Sequence, residues 1–371
     1  MKNILIIVPS LGGGGAEKVL ITLLNNIDAT LYNVELLIIF NSGIYFSELP
    51  PHVKLSIVYP QNNSLCQKLD FSFYYKFNCV LFEKLSVVRA LKRHRYDTII
   101  SFLEGRAVKA HSYIAARAKR NISWIHTDMV NNHYTNDISM KQDLERYAYS
   151  LMDEVVFVSK ESEQQFQKLG YSIKKSCVIN NPIDSTKIKL YMNNSSNNRR
   201  FTIVLCGRLT SVKGYDRMIR VAKRLKDDGF SFQVNFIGEG EERGNLQQLI
   251  NSLELDDCVS LLGFKKPPYS IMAKADLFVS TSFTEGYPVN ICEALCLGLP
   301  VVATRCTGTT EILGENGEYG LVAEQNEDSI FECIKSMIID GNLLESYKQK
   351  AMTASQKFSI EKTMGEIYEV L

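Results

Sequence analysis

Short apolar runs alternate with segments of helical periodicity along most of the chain. The first run, residues 4–8, is continuously apolar, as in a strand buried on both faces of a sheet. Strand–helix alternation of this kind forms parallel sheets with helices on both faces, so we predict an α/β protein. The predicted strands of the first half are 4–8, 34–40, 53–58, 98–102, 122–126, 154–158 and 176–179, and its predicted helices are 16–26, 71–93, 107–119, 139–150 and 160–169.

The alternation stops near residue 182 and then restarts. Residues 192–200 are rich in Asn and Ser and cannot bury much surface, which is typical of a linker or surface loop. The second series has predicted strands 201–206, 232–237, 259–262, 277–281 and 300–303, predicted helices 215–226, 245–251 and 289–297, and further helices from 328 onward. We therefore predict two Rossmann-like β/α/β domains, 1–182 and 201–355, joined by the linker 183–200.

Two such domains would face each other across a cleft, with ligands at the carboxyl ends of the strands. A chain of 371 residues is long enough for both cores. The last segment, 356–371, is predicted to be a helix that packs back on the first domain.

Composition and charge exclude several classes of protein. The formal net charge of +1 argues against a general polyanion binder. The nine cysteines form no CxxC pair, which favours reduced thiols in a cytoplasmic protein over a disulfide framework or a zinc site. The apolar run at the N-terminus is too short for a signal peptide, and no run approaches the roughly 20 residues of a membrane span.

A run of four glycines, 12–15, follows the first predicted strand. Glycines at a strand end let backbone N–H groups approach an anion, and the helix that follows favours negative charge at its start. The run is not GxGxxG, and the second strand ends without a carboxylate for a ribose, so a NAD enzyme is disfavoured. No Walker-type phosphate loop is present.

The segment 285–293, EGYPVNICE, follows a predicted strand and opens a predicted helix. Pro288 suits the first helical position. The N–H groups of Val289 and Asn290 would then be free at the positive end of the helix dipole, which is a seat for a diphosphate. Glu285 precedes the helix and Glu293 lies more than a turn inside it, so the two carboxylates suit hydroxyls at two ends of one ligand better than an acid–base dyad.

Two cations stand in the loop after the strand 201–206. Arg208 lies just beyond the strand end, and Lys213 follows five residues later. Cations from one strand-end loop can clamp a diphosphate without a metal ion. Taken alone, the same pair could also be two surface cations.

The ordered set of motifs resembles the retaining glycosyltransferases of the GT-B fold, family 4, of the type that builds bacterial surface polysaccharides. The resemblance covers nearly the whole chain. The motifs on which the resemblance depends are Gly14-Gly15-Ala16-Glu17, Gly207-Arg208 with Lys213-Gly214, Phe236-Ile237-Gly238-Glu239-Gly240, Leu262-Gly263-Phe264, the pair Glu285 and Glu293 spaced as E-x7-E, and Gly308 with Glu311.

The resemblance implies a role for each matching residue. The residues expected at the reacting groups are Arg208, Lys213, Glu285 and His126, with the two cations on the leaving diphosphate, Glu285 on sugar hydroxyls and His126 near the sugar. The residues expected to bind the donor are Gly14, Gly15, Gly207, Gly238, Gly263, Phe264, Gly286, Tyr287, Pro288, Val289, Asn290 and Glu293, the last on the ribose. Glu17 and Glu104 are expected at the acceptor.

The function implied is transfer of a hexose or N-acetylhexosamine from a nucleotide-diphosphate sugar, by family resemblance a UDP-sugar, to a glycan acceptor in the first domain. The expected pathway is O-antigen, capsule or lipopolysaccharide synthesis with a lipid-linked acceptor, and no metal or other cofactor is expected. Two alternatives remain at this point: a UDP-sugar epimerase on the same fold, which would act without an acceptor, and a non-catalytic sugar-nucleotide-binding protein.

Aromatic and basic residues interleave in the first predicted domain. The aromatics are Phe71, Phe73, Tyr74, Tyr75, Phe77 and Phe82, and the basic residues are Lys76, Lys84, Arg89, Lys92, Arg93 and Arg95. Residues 61–120 carry twelve Lys and Arg against four Asp and Glu. A helix of this kind could face the core or lie in a membrane interface. We expect peripheral attachment to the inner face of an anionic membrane.

Overall fold

The computed structural model describes residues 1–61, 64–77, 79–93, 95–134, 140–192 and 200–371. The chain divides into two units, Met1–Asn181 with Glu361–Leu371, and Pro182–Ile360. Each unit is built on one sheet whose described strands pair in parallel. The prediction of an α/β protein with two parallel sheets is therefore confirmed.

The sheet of the first unit has seven strands in the order β3-β2-β1-β4-β5-β6-β7. Its central strand β1 is apolar and almost fully buried from Ile4 to Val8, as expected for a strand covered on both faces. The order reverses between β1 and β4, which is the switch point of this sheet. The strands are β1 Lys2–Val8, β2 Tyr32–Phe40, β3 Lys54–Tyr59, β4 Tyr96–Ser101, β5 Ala118–Ile125, β6 Glu154–Phe157 and β7 Ser176–Val178.

The described helices of the first unit connect these strands. They are α1 Gly15–Asn26, α2 Leu65–Phe77, α3 Leu81–Ala90, α4 Arg106–Ser112, α5 Gln142–Ser150 and α6 Lys160–Gln167. Residue 139, where the predicted helix 139–150 begins, lies outside the described residues.

Two helix predictions in this unit were wrong in extent. The predicted helix 71–93 is two helices, α2 and α3, that fold back on each other. The Ser86 hydroxyl on α3 donates to Asp70 on α2 at 2.7 Å, although the two residues are 16 positions apart and would lie about 24 Å apart in one straight helix. The predicted helix 107–119 ends at Ser112, because Ala118 pairs with Tyr96 and starts β5.

The sheet of the second unit has six strands in the order β10-β9-β8-β11-β12-β13, with its switch point between β8 and β11. The strands are β8 Phe201–Cys206, β9 Phe232–Ile237, β10 Val259–Leu261, β11 Leu277–Ser280, β12 Val301–Thr304 and β13 Leu321–Ala323. The helices are α7 Ser185–Lys189, α8 Tyr215–Asp227, α9 Arg243–Ser252, α10 Tyr269–Met272, α11 Val289–Cys296, α12 Thr309–Leu313, α13 Glu327–Ile339 and α14 Gly341–Ser355.

The last helix, α15 (Ile360–Val370), belongs to the first unit from Glu361 onward. Its Tyr368 ring stacks on Tyr32 of β2 with centroids 5.5 Å apart, and the Tyr368 hydroxyl donates to the Asn26 carbonyl at 3.0 Å. In the predicted linker 183–200, residues 185–189 form α7, and residues 193–199 lie outside the described residues. Among the described residues, none of the helices has the length and apolarity needed to cross a bilayer.

Candidate functional site

In the second unit, two loops leave the same edge of the sheet on either side of its switch point. One follows β8 and carries Arg208 and Lys213; the other follows β11 and carries Glu285. Because the carboxyl ends of parallel strands share one edge, these loops lie side by side, where open α/β sheets bind ligands.

A short ion pair joins the two loops. The Lys213 ammonium lies 2.6 Å from Oε1 of Glu285, and the Ser282 hydroxyl donates to the same oxygen at 2.6 Å. Both charged side chains are mostly buried, at 21% and 13% exposure. The two cations of the predicted clamp therefore differ in burial. Lys213 is mostly buried and pairs with Glu285, and Arg208 is exposed on the same loop.

Helix α11 begins beside this pair. Pro288 is its N-cap with an extended ψ of 97°, so the prediction that Pro288 takes the first helical position was wrong by one residue. The Asn290 side chain donates to the Cys206 carbonyl at 2.7 Å and ties the helix start to the end of β8. The backbone N–H groups of Val289 and Asn290 stand in the first turn, where a helix provides no acceptor for them. This places the positive end of the helix dipole at the same edge.

Glu293 lies inside α11 and is buried, with 4% exposure. Its Oε1 accepts a hydrogen bond from the Tyr269 hydroxyl at 3.0 Å. Tyr269 was not predicted, since it stands 24 residues earlier on another helix and no local pattern joins the two. The role of Glu293 toward a ribose stays a prediction.

Close backbone approaches explain two of the predicted glycines. A Cβ on Gly238 would lie 1.9 Å from the Gly207 carbonyl oxygen, and one on Gly308 would lie 2.3 Å from that of Gly286. Their φ angles are +152° and +79°, which side chains rarely adopt. The loops after β8, β9, β11 and β12 are therefore packed backbone to backbone.

The remaining predicted donor residues of this unit lie on the same set of loops. Gly263 follows β10, and its carbonyl accepts from the Gly238 N–H at 3.0 Å. Phe264 next to it is 40% exposed, whereas Tyr287 beside Glu285 is 9% exposed, and burial raises the pKa of its hydroxyl.

The corresponding edge of the first unit carries the other predicted residues. Gly14 is the N-cap of α1, and a Cβ on Gly15 would meet no heavy atom within 4 Å, so the backbone is open there. Glu17 lies in the first turn of α1. These positions suit an approach to an anion or hydroxyl, but their roles stay predictions.

Glu104 follows β4 and is buried, and burial raises the pKa of its carboxyl. One oxygen accepts from the backbone N–H groups of His126 and of Thr127, the latter at 2.9 Å. The other accepts from the Tyr134 hydroxyl at 3.1 Å. Glu104 therefore shapes the turn after β5, and its predicted contact with an acceptor stays a prediction.

His126 stands at this turn with its ring 4.7 Å from that of Phe102. Both ring nitrogens are buried and have no hydrogen-bond partner among the described residues. Burial lowers the pKa of the imidazole to about 3, so the ring is neutral near pH 7. A neutral imidazole can donate one hydrogen bond to a ligand and accept one from it, but it supplies no positive charge.

Among the described residues, no group of three or more His, Cys, Asp and Glu side chains is arranged to hold a metal ion.

Two Rossmann-like units, each with polar loops at the switch-point edge of its sheet, define a two-domain protein of the GT-B fold. The same fold occurs in the crystal structure of Anabaena Alr3699/HepE in complex with UDP and glucose, with a TM-score of 0.78, 23% identity, and coverage of 100% of this chain and 99% of that one.

Family models and relatives then identify the family. A model described as "Glycosyl transferases group 1" matches residues 189–353, and one described as "Glycosyltransferase Family 4" matches residues 13–187. The chain is 31% identical over 96% of both chains to the Campylobacter jejuni N-acetylgalactosamine-N,N'-diacetylbacillosaminyl-diphospho-undecaprenol 4-alpha-N-acetylgalactosaminyltransferase. It is 22% identical over the full length of both chains to the amylovoran biosynthesis glycosyltransferase AmsD of Erwinia amylovora. The chain belongs to the group 1 glycosyltransferases and is a glycosyltransferase.

Proposed function

We propose that the chain transfers a hexose or N-acetylhexosamine from a UDP-sugar to a lipid-linked glycan, with retention of configuration, in the synthesis of a cell-surface polysaccharide such as O-antigen, capsule or lipopolysaccharide. The observation that carries the proposal is the Lys213–Glu285 pair beside the start of α11. It sets a cation and a helix N-terminus next to a carboxylate, which together suit a diphosphate attached to a sugar.

The reaction breaks the bond between the anomeric carbon and the β-phosphate oxygen, and the electron pair leaves with UDP. The acceptor hydroxyl forms the new bond on the same face, and its proton passes to a phosphate oxygen of the leaving UDP. Lys213, Arg208 and the first turn of α11 stabilise the charge that builds on the diphosphate. Glu285 holds hydroxyls of the sugar while positive charge develops on the ring.

The similarity to the Campylobacter enzyme supports the lipid-linked acceptor. Its name describes an acceptor on diphospho-undecaprenol and an α-linked product, and the similarity extends over 96% of both chains. Retention is the outcome that converts an α-linked donor into an α-linked product. The first unit, with its open glycine loop at Gly15, would receive this acceptor.

A surface on α2 and α3 supports attachment to the membrane that holds such an acceptor. Six apolar side chains on these helices are between 40% and 73% exposed. Exposed basic residues stand among and just after them. We call this the hairpin surface; it comprises Leu65, Lys68, Leu69, Lys76, Phe77, Leu81, Phe82, Lys84, Leu85, Arg89, Lys92 and Arg95.

The opposite side of the same two helices is anchored in the unit. Asp70 of α2 accepts from the Tyr59 hydroxyl at 2.8 Å, and Glu83 of α3 lies 2.7 Å from the Lys109 ammonium, both pairs being buried. Tyr74 of α2 covers that ammonium at 3.2 Å from its ring centroid. Since Asp70, Tyr74 and Glu83 hold one side of the two helices against the unit, the hairpin surface on the other side faces solvent, and part of the aromatic set faces the core. An anionic bilayer is the partner that matches exposed Leu and Phe among Lys and Arg.

A donor-hydrolysis screen tests the catalytic proposal. The purified protein is incubated with UDP-glucose, UDP-galactose, UDP-N-acetylglucosamine, UDP-N-acetylgalactosamine and GDP-mannose. We expect release of UDP with at least one UDP-sugar and, when a lipid-diphosphate acceptor is added, an α-linked product by NMR. Conversion of a UDP-sugar into its epimer without loss of UDP would identify an epimerase, and binding of UDP without turnover on any donor or lipid-diphosphate acceptor would identify a binding protein.

A further inference from the structure

The loop 281–285 connects β11 to Glu285, and side chains hold the carbonyl groups at its start. The Thr281 carbonyl accepts from the Arg217 guanidinium. The Ser282 carbonyl accepts from Thr304 at 2.6 Å and from Gln325 at 3.1 Å. Thr281 and Ser282 are 0% and 1% exposed, so their carbonyls would otherwise be buried without a partner, which costs free energy.

Arg217 stands in the first turn of α8 and is 5% exposed. Its guanidinium carbon lies 3.8 Å from the ring centroid of Phe283, and its Nη1 donates to Gln325 at 2.8 Å. The side-chain amide of Gln325 also donates to the Phe283 carbonyl at 3.3 Å and to that of Arg305 at 2.9 Å. Arg217 and Gln325 therefore form a continuous brace along residues 281–283.

The braced residues are also bonded to the loop that carries Lys213. The Thr281 hydroxyl donates to the Lys213 carbonyl at 3.0 Å, and the Phe283 N–H donates to the Val212 carbonyl at 2.9 Å. A Cβ on Gly214 would lie 2.5 Å from the Thr281 carbonyl oxygen, so the two loops are in close contact. A shift of residues 281–283 would move both members of the Lys213–Glu285 pair.

We propose that Arg217 and Gln325 are positioning residues, which fix Glu285 against Lys213 without touching substrate themselves. This inference rests on the proposed function of that pair. Neither residue belongs to the motifs that carry the family resemblance, and nothing in the local sequence marks them. A reacting geometry is sensitive to displacements of about 1 Å, which can lower a rate about a hundredfold, so a brace of this kind would affect turnover.

Arg217→Met and Gln325→Leu test the proposal, with Arg224→Met as the matched control. Arg224 lies on the same helix, its guanidinium covers the Phe331 ring at 4.2 Å, and it pairs with Asp328 at 2.8 Å rather than with the loop. Gln325 is exposed, so its replacement does not disturb the core. For Arg217→Met and Gln325→Leu we expect faster hydrogen exchange at residues 281–286 and a fall in kcat of about tenfold or more, and for Arg224→Met neither effect.

A double-mutant cycle separates positioning from a general loss of structure. In the Glu285→Gln background, Arg217→Met should lower kcat far less than in the wild type, because the charged Lys213–Glu285 pair that the brace holds is already broken. An equal loss in both backgrounds, or unchanged hydrogen exchange in the loop, would overturn the proposal. Hydrogen exchange needs no turnover. A wild-type protein without transferase activity would refute the proposed function, and hydrogen exchange at residues 281–286 would still show whether Arg217 and Gln325 hold the loop.

Discussion

Lys213 and Glu285 neutralise each other across two loops while both remain mostly buried. A diphosphate at this edge would share the Lys213 ammonium with Glu285, and one Glu285 oxygen also accepts from Ser282 at 2.6 Å. The pair is thus held in place before a donor arrives, and its charges need little rearrangement as negative charge grows on the leaving group.

We expect Lys213→Ala and Arg208→Ala each to lower kcat/KM. The fall should correspond to a loss of at least about 2 kcal/mol of transition-state stabilisation, because each variant removes a charged donor from a preorganised site. Lys223→Ala is the control, since Lys223 forms an exposed pair with Asp227 on α8. Steady-state kinetics on all three variants measures the effect. Values near wild type for both Lys213→Ala and Arg208→Ala would disprove the clamp.

Replacing Glu285 and replacing Glu293 should affect different quantities, turnover in the first case and affinity for UDP in the second. Glu285→Gln removes the charge that pairs with Lys213 and should mainly reduce turnover. Glu293→Gln keeps an oxygen for the Tyr269 hydroxyl but weakens any bond to ribose hydroxyls, and should mainly reduce affinity for UDP. Calorimetry with UDP alone separates the effects. Weaker UDP binding by Glu285→Gln than by Glu293→Gln would reverse the two assignments.

A buried histidine in the first unit predicts a pH effect on stability. His111 bonds Ser101 at 3.1 Å and Asn121 at 3.0 Å, and burial lowers its pKa to about 4 from 6.5. The unfolded chain therefore takes up a proton at this site as the pH falls below about 6.5, and the folded chain does not until about 4. The free energy of unfolding should fall across that window, by up to about 1.4 kcal/mol per pH unit.

Urea unfolding of the wild type and of His111→Gln checks this effect. The only tryptophan, Trp124, is buried in the first unit, so its fluorescence reports unfolding there. The dependence on pH should be weaker in His111→Gln and unchanged in His52→Gln, where the residue is exposed. Identical slopes in His111→Gln and wild type would contradict the prediction.

Among the elements, α2 and α3 are the pair that the hydrophobic pattern described least well. Phe71 packs edge-on against Tyr59 at 5.9 Å, whereas Phe77 is 70% exposed. The periodicity runs through both helices, and the bonds of Asp70 and Glu83 to distant residues decide which side is buried.

The hairpin surface should bind anionic vesicles. We expect the wild type to float with phosphatidylglycerol-containing liposomes at low salt and to be released at high salt, because each Lys or Arg near an anionic leaflet contributes about 1 kcal/mol. Phe77→Glu with Leu81→Glu should abolish flotation, and Ile339→Glu on α13, where Ile339 is 65% exposed, should not. Failure of the wild type to float at low salt would refute the membrane proposal, and a concentration-dependent dimer lost in the double variant would assign the surface to a second copy.

At the scale of the whole molecule, each unit carries its polar loops at the switch-point edge of its own sheet. Arg208, Lys213 and the first turn of α11 supply positive charge from the protein itself. We therefore expect transfer to be independent of divalent metal ions, as measured by activity after treatment with EDTA. Activity that EDTA abolishes and Mn²⁺ restores would contradict this expectation.

Much of the architecture follows from the sequence alone, because strands buried on both faces must be continuously apolar and helices must be periodic. Two predicted strands, Phe201–Cys206 and Phe232–Ile237, have the bounds that the structure gives them. The motifs likewise placed the candidates Lys213 and Glu285 in loops after strand ends, where parallel sheets bind ligands, because such loops can be read from the local sequence, and the roles of these residues stay predictions.

Contacts between distant segments were decided only by tertiary structure. The pairing of Ala118 with Tyr96 overrides local helical preference, and the bonds of Ser86 to Asp70 and of Tyr269 to Glu293 join residues on different elements. The brace of Arg217 and Gln325 is of the same kind, at a separation of 108 positions. Sequence patterns record which side of an element is apolar, whereas the partner of a buried polar group depends on which elements packing brings together.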